Sequence, residues 1–347
     1  MTDTVLTIAC EAGVNCTVLA QQPGATVVSP LLLCLTGVIG QVWALNYLHR
    51  RSKQQNRTVF YVMLSTLLWT DLIGKLTTTP AAILAYVHGH WLGGKEACNL
   101  HGFTMMTIGL VTHCMVSAMA VERYIGIRHG YYYSKHVTTS RARLLLLGIW
   151  LFGVLLCAMP LFGVGQYALQ YPGSWCFVNT HVLWDESPVQ HIVFTNLYGS
   201  IHVLCIVTIV YCNFAVIGTL IRTRMTRLRE PMNSQHLYSN RSYRQRELEI
   251  QMVLVLVVIT VVFIVSWLPL DLRIFLNQVW PHKSRADHYP DIVAIRLASL
   301  NQIIDPWAYI ICRKLFFSNT GRRLLCFIQG RGWSKVSREA SSLQVRV

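Results

Sequence analysis

Charge is what this chain has least of. Only 13% of its 347 residues are Asp, Glu, Lys or Arg, about half the ~25% typical of soluble domains. Acid is scarcer still, with 15 acidic residues against 30 basic ones and a net charge of +15. In a soluble protein that excess would point to nucleic acid. Here the basic residues fall between apolar runs instead of forming one patch, which excludes that reading. None of the 11 cysteines forms a CxxC pair, so a zinc site built on cysteine is not expected, and no metal or cofactor is expected elsewhere. Residues Met1 to Gly24 hold no basic stretch ahead of an apolar one, so no cleavable signal peptide is expected. No Ser, Cys or His falls into a nucleophile–base arrangement, so the chain does not read as an enzyme. His113 and His202 lie inside apolar runs and read as buried, hydrogen-bonded histidines. A transporter or channel is the alternative from another class, because Asp71, Lys75, Arg296 and Asp305 also lie in apolar runs. The inverted halves common in transporters are not visible.

What the chain has in abundance is long apolar sequence, with 53% hydrophobic residues. Seven segments stand out, at roughly 26–48, 59–87, 99–127, 144–165, 190–221, 249–277 and 291–312. Each is close to or above the ~20 residues that cross ~30 Å of hydrocarbon as a helix. Basic residues then set the orientation. Arg50, Arg51, Lys53 and Arg57 follow the first segment, and Arg128, Lys135, Arg141 and Arg143 follow the third. Arg222, Arg224, Arg227, Arg229, Arg241, Arg244 and Arg246 follow the fifth, and the tail adds more from Arg313 to Arg346. The opposite side holds only Lys95, Lys283 and Arg285. The sequence therefore predicts an all-α, multi-pass membrane protein with its N-terminus outside and its C-terminus inside.

Three parts follow: an extracellular segment 1–25, a seven-helix domain 26–312 and a cytoplasmic tail 313–347. The sequon Asn15-Cys16-Thr17 is the expected glycosylation site, and the sequons at Asn56 and Asn240 fall on the cytoplasmic side and stay unused. The loop from Arg222 to Glu247 is polar and too short for a folded domain. Basic and apolar residues alternate from Arg313 to Phe327, which predicts a short amphipathic helix on the inner membrane surface. Cys326 is its candidate for palmitoylation, a buried or free thiol being the alternative.

The seventh segment carries Arg296 and Asp305, about 13 Å apart along a helix at ~1.5 Å per residue. Each charge costs at least ~2.5 kcal/mol at the bilayer centre unless it faces protein or water. Pro306 directly follows Asp305 and cannot complete the backbone ladder, so a neighbouring helix or water must satisfy the carbonyl it frees.

With seven spans and this orientation, the motifs resemble those of rhodopsin-like G-protein-coupled receptors. Glu122-Arg123-Tyr124 closes the third segment, and Asp305-Pro306-Trp307-Ala308-Tyr309 lies in the seventh. Asp71, Trp150, Trp267 and Pro269 match the markers of the second, fourth and sixth helices. The resemblance implies that Glu122, Arg123, Tyr124, Asp71, Asp305, Pro306 and Tyr309 serve G-protein activation. It also implies a Cys98–Cys176 disulfide tying the third helix to the second outer loop. A narrower resemblance, to the prostanoid receptors, rests on Gln170-Tyr171-Pro172-Gly173-Ser174-Trp175-Cys176-Phe177 and on Arg296-x-x-Ser299-x-Asn301. Several further pieces, among them Glu249 to Val253 and Ala294 to Arg296, look most like subtype four of the prostaglandin E receptors.

That resemblance implies a prostanoid lipid ligand, plasma-membrane localisation, and a heterotrimeric G protein of the stimulatory class that raises cyclic AMP. Arrestin is a further partner, although the tail offers few phosphorylatable residues. The chemistry of the residues agrees with such a ligand. A fatty acid with one carboxylate needs a long apolar slot, one cation and a few hydrogen-bond donors. Arg296 supplies a guanidinium that can grip a carboxylate with two prongs. Tyr86, Ser174, Trp175 and Ser299 complete the expected ligand set. A structural pair between Arg296 and Asp271 is the alternative. Gln41, Lys75, Asp271 and Ala82 depart from the family pattern; a local Asp71–Lys75 ion pair is sterically available.

Overall fold

The computed structural model describes residues 26–52, 58–180, 188–229, 239–279 and 289–317. Asn15 and Cys326 lie outside them, as does the tail beyond Phe317. Apolar length makes the helices. The chain forms α1 (Val28–Ser52), α2 (Val59–His88), α3 (Gly94–Arg128), α4 (Gly130–His136) and α5 (Thr139–Ala158). A short 3-10 turn, Met159–Phe162, leads to a hairpin of β1 (Tyr167–Gln170) and β2 (Trp175–Val178). Then come α6 (Val189–Arg229), α7 (Ser239–Val279) and α8 (Tyr289–Phe317). Polar side chains start two of these helices where the first turn would leave amides unpaired. Thr58 accepts from the Tyr61 amide, and Thr138 accepts from the Arg141 amide.

Six of these helices, α1, α2, α3, α5, α6 and α7, are long and apolar enough to cross a membrane. The seventh is α8, 29 residues long, which packs on α7 and on α1 and so closes the ring. Leu144, Leu145, Leu147, Leu151 and Leu155 of α5 point outward, where lipid, unlike water, costs them nothing. One continuous core runs through α2, α3, α6 and α7, with Met106, Leu110, Met115 and Phe263 fully enclosed. Glycine allows close packing between elements. A Cβ on Gly153 would stand 2.7 Å from Val111, and one on Gly102 would stand 2.6 Å from the Tyr167 ring.

Three local features differ from expectation. The polar loop after the fifth span is largely helix, because α6 continues to Arg229 and α7 already begins at Ser239. A seven-residue helix, α4, of about two turns follows the third span on the cytoplasmic side. The second outer loop is a hairpin whose eight strand residues are all buried. Its strands pair antiparallel with Gln170 opposite Trp175, and its turn places Gly173 at φ 99°, a conformation that costs glycine little.

Candidate ligand-binding site

The expected ligand residues come from three separate elements, and the fold gathers them. Tyr86 of α2, Ser174 and Trp175 of the hairpin, and Arg296 and Ser299 of α8 all line one cavity of about 150 Å³ in the outer half of the bundle. Its walls are mostly apolar, with Leu33, Met105, Ile108, Ile292 and Ile295 among them, and Trp267 and Gly109 reach its deep end. The hairpin forms the roof and is fastened twice. Cys98 and Cys176 form the implied disulfide with their Cα atoms 5.4 Å apart. Beside it His101 of α3 accepts from the Cys176 amide at 3.2 Å through Nδ1, while its Nε2 donates to the Thr78 carbonyl at 3.3 Å. His101 thereby ties α2, α3 and the roof together. Trp175 donates to the Tyr171 carbonyl at 2.9 Å across the turn, which fixes the indole against the cavity.

Lys75 joins this site. It is 4% exposed, lines the same cavity as Arg296, and its Nζ donates to the Ser299 carbonyl at 3.5 Å. Its stem passes so close to Gly37 that a Cβ there would stand 2.4 Å from Lys75. The direct Asp71–Lys75 pair is not formed. Asp71 takes a hydrogen bond from Thr112 at 3.2 Å instead, and Lys75 turns towards α8. The Ser299 hydroxyl donates to the Ile295 carbonyl at 2.9 Å and faces the cavity, as expected of its position one turn from Arg296. Ala82, where a hydroxyl residue was expected, also lines the cavity.

Asp271 does not serve as a partner for Arg296. Its Oδ1 lies 3.1 Å from His202 Nδ1 and its Oδ2 lies 3.7 Å from His113 Nε2. Other groups hold the outer ends of α7 and α8 together. Asp291 accepts from Arg273 at 2.6 Å and from Asn277 at 3.2 Å.

On the cytoplasmic side, Glu122 and Arg123 touch, with Nε and Oε2 3.1 Å apart. Tyr133 of α4 donates to the other Glu122 oxygen, and the Arg123 guanidinium lies 4.0 Å over the Phe60 ring. Burial, aided by the adjacent Glu122 carboxylate, pushes the Tyr133 phenol up to about 12, so it remains a donor at any working pH. Tyr124 sits 6.2 Å from Tyr211 of α6. The α8 backbone is helical through Asp305, Pro306 and Tyr309, whose side chains lie outside the described set. The carbonyl that Pro306 cannot bond belongs to Gln302, and it is satisfied by Gln41 of α1, whose Nε2 donates to it at 3.1 Å. The departure at position 41 therefore has a structural role, since an amide on α1 repairs the break in α8.

Comparison with known proteins places these features. The pattern of the 7 transmembrane receptor (rhodopsin family) matches residues 43–309. The chain is 32% identical to the prostaglandin E2 receptor EP4 subtype of Homo sapiens over 339 residues, covering 89% of this chain and 69% of that protein. To the human prostaglandin E2 receptor EP3 subtype it is 31% identical over 310 residues, covering 84% and 77%. Among solved structures, squid rhodopsin aligns with a TM-score of 0.70 at 18% identity, covering 83% of this chain and 81% of that one, a likeness of fold.

Proposed function

Because this chain belongs to the prostanoid receptors of the rhodopsin family, we propose that its cavity binds prostaglandin E and that binding activates the stimulatory G protein, raising cyclic AMP. The observation that carries the ligand reading is the cavity itself. Two cationic side chains, Arg296 from α8 and Lys75 from α2, meet a mostly apolar chamber under a fastened roof. That arrangement fits a lipid with an anionic head and a long hydrocarbon body. Arg296 is the carboxylate anchor, with Tyr86 and Ser174 as donors to the same head group, and Trp175 and Trp267 bound the apolar part. Lys75 adds a second positive charge, and this favours a second reading of the same class, in which another prostanoid with a different head-group position is preferred.

Activation is then a population shift. An agonist that binds the state open to the G protein more tightly than the closed one moves the equilibrium by its differential affinity. The Glu122–Arg123–Tyr133 contacts hold Arg123 inside the closed state, and release of Arg123 would expose it to the G protein. Cells expressing the chain should raise cyclic AMP on prostaglandin E2. Arg123→Ala should remove that response while antagonist binding persists. A response carried by calcium alone would overturn the stimulatory assignment.

A further inference from the structure

A thiol stands in the ligand cavity beside a buried ammonium. Of the five free cysteines among the described residues, Cys34 of α1 lines the cavity, and Cys114, Cys157, Cys205 and Cys212 do not. Gly37 lies one turn further along the same face of α1. A Cβ on Gly37 would stand 2.4 Å from Lys75 Cε and 3.2 Å from its Nζ. The Lys75 side chain therefore ends about a helical turn from Cys34, within electrostatic reach of its sulfur.

Lys75 has hydrogen-bonding capacity to spare. It is 4% exposed, and an ammonium carries three donors. Its Nζ makes one long contact, 3.5 Å, to the Ser299 carbonyl. Asp71, one turn inward on α2, takes its hydrogen bond from Thr112. Donors are thus left for an oxygen atom in the cavity. Reactive cysteines sit in electropositive, partly exposed surroundings, whereas buried structural ones are inert. Cys34 has the first kind of surroundings. It is partly exposed, and the cavity wall holds Lys75 and Arg296 and no acidic side chain.

We propose that Cys34 captures lipid acids bearing an α,β-unsaturated ketone, with Lys75 as the donor that polarises the ketone. This deepens the lipid reading of the cavity and rests on it. In the step, the Cys34 sulfur forms a bond to the β-carbon of the enone. The alkene π pair moves onto the ketone oxygen as an enolate, whose charge the Lys75 ammonium holds. The thiol proton ends on the α-carbon and the ketone re-forms. Nothing leaves, and no oxidant or reductant is consumed. Prostaglandin E2 has a ring ketone without a conjugated alkene, so it occupies the same cavity reversibly.

The full-length chain in membranes is incubated with prostaglandin A2, whose ring carries such an enone, then denatured, digested and sequenced by tandem mass spectrometry. One adduct per chain is expected, on Cys34. Ring-reduced prostaglandin A2, the same acid without the conjugated alkene, should form no adduct and should protect Cys34 when in excess. Cys34→Ser should abolish labelling. Lys75→Met keeps the unbranched stem and should slow labelling at saturating ligand by at least about tenfold. Adducts spread evenly over Cys34, Cys114, Cys205 and Cys212, or no protection by the reduced acid, would mark simple thiol reactivity and overturn the site. An unchanged rate in Lys75→Met would overturn the part given to Lys75. Reversible binding of tritiated prostaglandin E2 to the unaltered chain, measured alongside, separates the two readings. Binding without an adduct on Cys34 strikes this inference alone, and neither binding nor adduct strikes the lipid reading with it. Should the variants fail to fold, the position and protection of the adduct on the unaltered chain decide.

Discussion

At the scale of single residues, Arg296 carries the ligand reading. A hydrogen bond between charged groups contributes roughly 1.5–3 kcal/mol net, so losing it should weaken an acidic ligand by roughly ten- to a hundredfold at ~1.4 kcal/mol per decade. Arg296→Gln should therefore penalise a free-acid prostaglandin strongly and its methyl ester much less. Lysine at 296 should recover only part of the loss, since it keeps the charge without the fork. Competition binding with acid and ester on both variants reads this directly. Equal losses for the two ligands at unchanged surface expression would place the head group elsewhere, and Lys75 would then be the cation to test. Arg296, Tyr86, Ser174 and Trp175 were legible because the family motif carries them. Lys75 was legible only as an oddity. Nothing in the sequence shows that its side chain crosses the groove left by Gly37 to the Ser299 carbonyl, since that depends on how α1, α2 and α8 meet.

At the scale of elements, the seven spans were readable because each needs an unbroken apolar length and the basic loops fix its direction. The hairpin was missed although its signals are present. Pro172 and Gly173 mark a turn between Tyr167–Gln170 and Trp175–Val178, but buried strands this short lack the alternation that reveals a half-exposed one. The repair of α8 by α1 was half legible. Pro306 predicts a freed carbonyl, and only the packing names Gln41 as its donor. Gln41→Leu keeps the volume but leaves the Gln302 carbonyl unpaired, at a cost of about 1–3 kcal/mol. The thermal midpoint of detergent-purified protein should fall by several degrees, and an unchanged midpoint would show that another group satisfies the carbonyl. The roof gives a second test. Cys176→Ser cuts the link to Cys98 and leaves His101 as the nearby tether, so ligand binding at the cell surface should be lost. Binding of unchanged affinity would mean that His101 and the strand pairing suffice.

At the scale of the whole molecule, polar groups occur in layers along an apolar bundle. The cationic cavity lies outermost, and beneath it, at one level, lie the His113–His202–Asp271 group and the Asp71–Thr112 pair, Thr112 being the chain neighbour of His113 on α3. The Glu122–Arg123–Tyr133 contacts lie at the cytoplasmic end. The outer and inner layers were visible in the sequence as motifs. The His113–His202–Asp271 group between them was not, because its three members are far apart in the chain and only the approach of α3, α6 and α7 joins them. A ligand that pulls on the outer layer can shift the inner one only if it binds one arrangement of the bundle better than another. The most direct test of the account is therefore equilibrium binding of tritiated prostaglandin E2 to membranes from cells expressing the chain, with displacement by unlabelled prostaglandin E2 and by its methyl ester. Saturable binding is predicted, with the free acid displacing the label at a concentration at least about tenfold lower than the ester. No saturable binding to protein demonstrably at the cell surface, or equal displacement by acid and ester, would contradict it.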